Sequence, residues 1–259
     1  MTDLERTKLL ALYTSEMRRD AWVPGLALER LPEVSRCADA AQREALIMWH
    51  HFAAADTEAV VRRELDHFKE AKGFVWKVYV QDSPANLEAC LLAHGLQPER
   101  SEPDTLLAAP AAALAEPITL PAGVHIHELK SSSEIHLLAA VWDAVWPGEA
   151  AGWIAVLGEA LEKHPDRLRI LIAMVDGQPA ASGYAILDPR GHFAYLGGGA
   201  CVPGHRSKGL YRALVHARAV IVRDAKVGHL AVEATPASRS TLERLGFEPL
   251  TTLRFFAKN

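Results

Sequence analysis

Between residues 167 and 198 three apolar runs, RLRILIAMV, AASGYAIL and HFAYLGG, are separated only by DGQP and DPRG. Asp-Gly between apolar runs is a strong hairpin signal, because its backbone turns tightly with the twist that paired strands need. Three consecutive strands joined by short turns must run antiparallel, since a parallel connection needs a long crossover. This excludes a doubly wound parallel sheet for this part of the chain. This part of the chain is therefore expected to be antiparallel.

The elements on either side agree. GVHIHELK alternates as a strand, and SSSEIHLLAAVWDAVW opens with serines suited to capping a helix. AGWIAVLGEALEKH reads as a second helix, ended near His164 and Pro165. After the third strand, a helix is expected from about Ser207 to Ala225, with Leu210, Leu214, Ala217 and Ile221 on one face. HLAVEAT is a strand, SRSTLERLGF a short helix stopped by Gly246, and TTLRFFAK a closing strand.

Residues 106–123, LLAAPAAALAEPITLPAG, are rich in alanine and proline and poor in charge. Proline breaks regular structure on both sides. The division expected is a first domain over 1–110, a linker over 111–121 and a second domain over 122–259. In the first, GLALERL is a strand, two helices lie within ADAAQREALIMWHHFAA and DTEAVVRRELDHFKEAKG, FVWKVYVQ is a strand, PANLEACLLAHG a helix and DTLLAA a strand. VQDSPANLEACLLAHGLQP aligns with VEATPASRSTLERLGFEP, pairing Pro84 with Pro236, Gly95 with Gly246 and Pro98 with Pro249 after one residue of slippage. A duplication is the expectation.

The formal net charge of -4 and pI near 6.3 lack the basic excess of a nonspecific nucleic-acid binder. No run approaches the ~18 apolar residues of a membrane span, and MTDLERTKLL lacks a signal-peptide core. Neither nucleic acid nor membrane is expected as a partner. Three scattered cysteines, Cys37, Cys90 and Cys201, fit a reduced, cytoplasmic protein better than a disulfide framework. No metal is expected: CxxC and HxxxH spacings are missing, and His125 and His127 fit a strand face.

Chemistry concentrates in GGGACVPGHRSKGLYRALV. A helix start presents free N–H groups and partial positive charge, which makes an anion site. Glycine lets backbone approach a ligand closely, and Arg206 and Lys208 add charge there. Neither the Walker GxxxxGK[ST] nor the Rossmann GxGxxG pattern is present.

This segment resembles the acetyl-CoA loop, [RQ]-x-x-G-x-[GA], of the GCN5-related N-acetyltransferases. Arg206 and Gly209 match, while Tyr211 departs from the final small position. LERLGFEPL resembles the family's closing helix and strand. The resemblance covers residues 122–259, and residues 20–110 look like a degenerate copy without the loop. It implies an α+β fold of two acyl-CoA N-acyltransferase-like domains in tandem, each a central, mostly antiparallel mixed sheet flanked by helices.

By the same resemblance, acetyl-CoA is the co-substrate. Its pyrophosphate would sit on the N–H groups of Arg206, Ser207, Lys208, Gly209, Leu210 and Tyr211. Gly199, Ala200, Cys201 and Val202 would pair with the pantetheine arm. An amine, on a small molecule or a protein, would attack the thioester directly in a ternary complex. That reaction needs a deprotonated amine, an oxyanion donor and a proton for the leaving thiolate. A backbone N–H of residues 199–201 is the oxyanion candidate. The position of the family's helix tyrosine is Leu242, and HFAYLGGG holds no acid, so the catalytic candidates are Glu233, Tyr195 and Tyr211. His205 and a nucleophilic Cys201 are weaker candidates.

For the acceptor, Trp142, Trp146 and Trp153, with Asp143 and Glu149, form either a wall for a cationic amine or a core stripe. Recognition is expected on the helices bearing them and at the domain interface. A non-catalytic CoA-binding module and a transferase of longer acyl groups remain alternatives, as do a monomer and a homodimer.

Overall fold

The computed structural model describes residues 1–148, 150–188 and 191–258; Glu149 and part of the DPRG turn therefore lie outside the described residues. The chain divides into two compact units. One comprises residues 1–107, 233–240 and 249–259, and the other residues 108–232 and 241–248. The expected linear division at 111–121 differs from this, because two C-terminal segments belong with the first 107 residues.

The first unit opens with helix α1 (Asp3–Tyr13), whose Thr2 and Glu5 form a reciprocal capping box. It continues through β1 (Ala27–Arg30), β2 (Val34–Ala38), β3 (Glu44–His50), α2 (Thr57–His67), β4 (Gly73–Tyr79), α3 (Leu87–Ala93), β5 (Leu96–Pro98) and β6 (Asp104–Pro110). Strands β1, β2 and β3 form an antiparallel meander, and β3 pairs with β4 in parallel across α2. The other edge of β4 takes the last strand of the chain, β12 (Glu248–Lys258), with Leu253 opposite Tyr79 and Phe256 opposite Trp76.

The helix expected around residues 38–54 is instead the strand β3 with the turn that leads into it from β2. Glu44–His50 carries good helix formers, but Ala45, Ile47 and Met48 are buried and β3 has hydrogen-bonded neighbours on both edges. Tertiary pairing overrides a weak local propensity. The core beneath packs Val60, Val61, Leu87 and Leu91 of the two helices against Ile47, Phe74 and Trp76 of the sheet.

This unit also buries ion pairs. Arg18 grips Asp82 with two bonds of 2.8 and 2.6 Å, and Arg36 meets Glu64 at 2.7 Å. Beside the first pair, His50 is almost fully buried, and its Nδ1 accepts the Trp76 indole N–H at 3.2 Å. Burial pushes the His50 imidazole down to about 4, and Arg18 pushes the same way against Asp82. A histidine that folds neutral is stable with respect to its charge above its ordinary range. Stability should therefore fall as pH drops from about 6.5 towards 4, by ~3 kcal/mol, because the unfolded chain takes up the proton first. Denaturant unfolding across that window, compared with His50→Phe, checks this; the variant should lose most of the slope.

The second unit holds α4 (Ala111–Leu114), β7 (Val124–Glu128), α5 (Ile135–Val145), α6 (Ala151–Lys163), β8 (Leu168–Val175), β9 (Gln178–Leu187), β10 (Phe193–Cys201), α7 (Leu210–Asp224) and most of β11 (His229–Ala234), whose last two residues count with the first unit; α8 (Pro236–Arg244) is divided between the units after Ser240. Its sheet runs β11-β10-β9-β8-β7. The meander β7 to β10 is antiparallel, as its turns require, and β10 and β11 are parallel across α7. Ala111 and Ala115 of the proposed linker are buried, so its first residues are packed structure. Leu210 and Leu214 of α7 pack on Leu171, Ala173, Ala180 and Ala181. Among the described residues no helix is long and apolar enough to cross a membrane.

Candidate functional site

In the second unit β10 and β11 share only a short register. Phe193, Ala194 and Tyr195 lie opposite His229, Leu230 and Ala231. Beyond Tyr195, β10 runs on to Cys201 along β9, and its register shifts between Gly197 and Ala200. Gly198 and Gly199 form that bulge, with Gly198 at φ +61°. Glycine is required on steric grounds as well. A Cβ on Gly197 would lie 2.3 Å from the Tyr184 ring, and one on Gly198 would lie 2.9 Å from Trp142.

Three side chains fix the bulge from beneath. The Trp142 indole donates to Ser182 Oγ at 3.1 Å, and Ser182 donates to the Gly198 carbonyl at 3.1 Å. Arg218, fully buried on α7, donates to the carbonyls of Leu214 and Tyr184 at 3.0 and 3.1 Å and reaches that of Gly197 at 3.5 Å. Its guanidinium fits because residue 183 is glycine; a Cβ there would meet it at 2.8 Å. Burial lowers the Arg218 guanidinium from its ordinary range, partly offset by Tyr211 and Tyr184.

The bulged strand leads into the basic loop. Val202 N–H donates to Ala180, a short 3-10 turn spans Pro203–His205, and Arg206 Nε donates to the Cys201 carbonyl at 3.2 Å. Ser207 and Gly209 both take positive φ, +61° and +80°. The helix expected from Ser207 therefore starts at Leu210, with Gly209 as its left-handed cap. The first N–H groups of α7 have no partners inside the helix, and its dipole adds partial positive charge. Arg206, Ser207, Lys208 and Gly209 are exposed around them, while Leu210 is buried in the core. The arrangement is an exposed, positively polarised helix start beside a strand that has left its parallel neighbour, chemically suited to an anion.

The other sequence candidates fall as follows. The Tyr211 ring lies over Gly199, where an added Cβ would be 3.0 Å away, and burial raises its phenol above the ordinary range. Tyr195 is half-buried at the end of the parallel register. Exposed Gly199, buried Ala200 and half-buried Cys201 and Val202 line the end of β10. Burial raises the Cys201 thiol against the pull of Arg206 and Lys208, and its Sγ contacts the Val202 carbonyl at 3.7 Å. Leu242 is fully buried. His127 pairs with Glu134 at 2.7 Å, and Trp142 belongs to the core while Trp146 and Trp153 are exposed.

Glu233 belongs to the first unit. Its carboxylate is buried, with Lys77 Nζ at 2.8 Å and the Tyr79 and Tyr13 hydroxyls donating to it. Burial is the largest influence and raises this carboxyl, but Lys77, Tyr79 and Arg18 together outweigh it, so the group sits below its ordinary value. Sequence reasoning missed Ser182, Arg218 and Tyr184. Gly183 and the Gly197–Gly199 run were the only signs that something bulky lay beneath.

Residues 132–247 match the model of the acetyltransferase (GNAT) family. No curated protein sequence matches the chain. Among solved structures, a GCN5-related N-acetyltransferase from Kribbella flavida aligns at TM-score 0.66 and 15% identity, over 98% of this chain and 94% of that one. A functionally unknown conserved protein from Staphylococcus epidermidis aligns at 0.68 and 14%, over 92% and 96%. A tandem GNAT protein from the clavulanic acid biosynthesis pathway aligns at 0.60 and 15%, over 97% and 94%. At these identities the likeness is one of fold.

Proposed function

We propose that this chain, a member of the GCN5-related N-acetyltransferase superfamily, transfers an acetyl group from acetyl-CoA to an amine by direct attack within a ternary complex. The observation that carries the reading is the free N-terminus of α7, capped by left-handed Gly209 and set directly after the bulged β10. The pyrophosphate binds the N–H groups from Ser207 to Tyr211, since that of Arg206 is taken by the Pro203 carbonyl, and the side chains of Arg206 and Lys208 supply charge. The pantetheine amides pair with β10 along Gly199–Val202, on the edge where the β11 register has ended.

The bulge turns a backbone N–H of residues 199–201 towards the thioester oxygen, where negative charge develops. Arg218 and the Trp142–Ser182 relay hold that peptide in place by binding the carbonyls of Gly197 and Gly198. A phenol raised by burial stays protonated at neutral pH, so Tyr211 acts as an acid rather than a base. It supplies the proton for the leaving thiolate. Glu233, tied to Lys77, is assigned to the frame of the first unit, and water takes the amine proton, with the Tyr195 phenol left as a hydrogen-bonding neighbour rather than a base.

Both units carry a strand-helix-strand crossover with parallel strands, β3-α2-β4 in one and β10-α7-β11 in the other. This topology supports a tandem duplication whose N-terminal copy has lost the loop. Three free thiols accord with a cytoplasmic location.

The test is acetyl-CoA consumption, followed as free thiol, over a panel of amines. Turnover supports the enzyme; tight binding with no turnover on any acceptor assigns a binding module. Longer acyl donors separate acetyl transfer from wider acyl transfer. In the active enzyme Tyr211→Phe should lower kcat ~10²–10⁴-fold while leaving KM for acetyl-CoA within a few-fold. An unchanged kcat would remove Tyr211 from the chemistry.

A further inference from the structure

We infer that Glu58, Cys90 and His94, in the first unit and independent of the acetyl-CoA reading, form a site for a borderline divalent metal ion of the zinc type. Cys90 and His94 are four residues apart on the turns of α3, and its helical hydrogen bonding runs on to His94, whose N–H donates to the Cys90 carbonyl at 3.1 Å. Side chains at i and i+4 share one face of a helix. Glu58 projects from the first turn of α2 onto that face.

Its Oε2 lies 3.4 Å from Cys90 Sγ and 3.1 Å from His94 Nε2, and one donor atom from each residue lies within 4.8 Å of the other two. Tetrahedral zinc, with bonds of about 2.0–2.3 Å, holds its ligand atoms roughly 3.3–3.8 Å apart. Two of the three donor pairs are thus close to the required spacing before any ion enters, and the Sγ–Nε2 pair lies within 4.8 Å. Sulfur, nitrogen and oxygen together select a borderline ion over magnesium or calcium, which take oxygen alone. Three protein ligands leave one position for water, and Glu58 faces solvent there.

The support around the donors is built rather than incidental. Arg62 holds the other carboxylate oxygen, Oε1, at 2.6 Å, which leaves Oε2 to the metal and orients it from outside. Thr57 and Asn86 tie the starts of α2 and α3 together at 2.9 Å, and Asn86 also donates to Ala54. Beneath them Val60, Val61, Leu87 and Leu91 pack into the core, so both helices are fixed. Binding forms a sulfur–metal bond at Cys90 and releases the thiol proton to solvent, while His94 binds through Nε2 and Glu58 through Oε2.

The test uses the untagged, reduced full chain and cobalt(II) alone as the probe. A thiolate-to-cobalt charge-transfer band should appear, saturate at one ion per chain and vanish when zinc(II) is added. Cys90→Ser should abolish the band, and His94→Gln should weaken cobalt at least tenfold, while Cys201→Ser leaves it intact. Should either variant fold poorly, the wild-type chain still reports: zinc should protect Cys90, but not Cys201, from alkylation. No band in the wild type, a band that survives Cys90→Ser, or no protection of Cys90 would overturn the site and leave an ordinary helix-to-helix ion pair.

Discussion

Glu233→Ala should destabilise the protein by about 3–5 kcal/mol, because it leaves Lys77 buried without its counter-charge. The hydroxyls of Tyr13 and Tyr79 lose their acceptor in the same step. Removing both charges, as in Lys77→Met with Glu233→Leu, should recover part of the loss, because no charge is left buried, although the acceptor of the two tyrosine hydroxyls is not restored. Denaturant midpoints for Lys77→Met, Glu233→Leu and the double variant measure the coupling. A loss under 1 kcal/mol for Glu233→Ala, with a collapse of turnover, would return this glutamate to the list of catalytic groups.

The second large effect belongs to the loop. In an Arg206→Glu, Gly209→Asp double variant, affinity for acetyl-CoA should fall by at least a hundredfold. Glutamate and aspartate place negative charge where the α7 amides face an anion, and Gly209 at φ +80° strains any residue with a side chain. The residue at 209 also abuts Pro121, 3.5 Å from where a Cβ would stand. Calorimetric titration of both proteins, with circular dichroism to check folding, reads the change. Equal affinity in the two proteins would move the anion site elsewhere.

The second unit was largely legible in its sequence, because its signals are local. Asp-Gly turns separate β8 and β9, and the 3.6 period of Leu210, Leu214, Ala217 and Ile221 marks α7. The helix starts three residues later than its sequence suggests, because Ser207 takes a left-handed conformation that serine rarely adopts. The first unit was harder for a physical reason. REALIMWH has the composition of a helix, and only its pairing with β2 on one side and β4 on the other makes it β3. The place of β12 was not legible at all, since its partner β4 is far away in sequence.

The site divides in the same way. Gly199 to Tyr211 announce themselves by glycine and charge close together. Ser182 and Arg218 act through the backbone of the bulge, and no local pattern marks them. Glu233 was legible as an acid on a strand, but its tie to Lys77 depends on a contact between remote segments. Cys90 and His94 had the i, i+4 spacing in plain view, and the third donor, Glu58, came only with the packing of α2 on α3.

The most direct measurement is a crystal structure of the full chain with acetyl-CoA. The account predicts the pyrophosphate on the N–H groups at the start of α7, the pantetheine amides paired with Gly199–Val202, and the thioester oxygen within hydrogen-bond reach of a backbone N–H of residues 199–201. Acetyl-CoA bound away from α7, or crystals grown at saturating acetyl-CoA with the α7 cradle free of ligand, would contradict it.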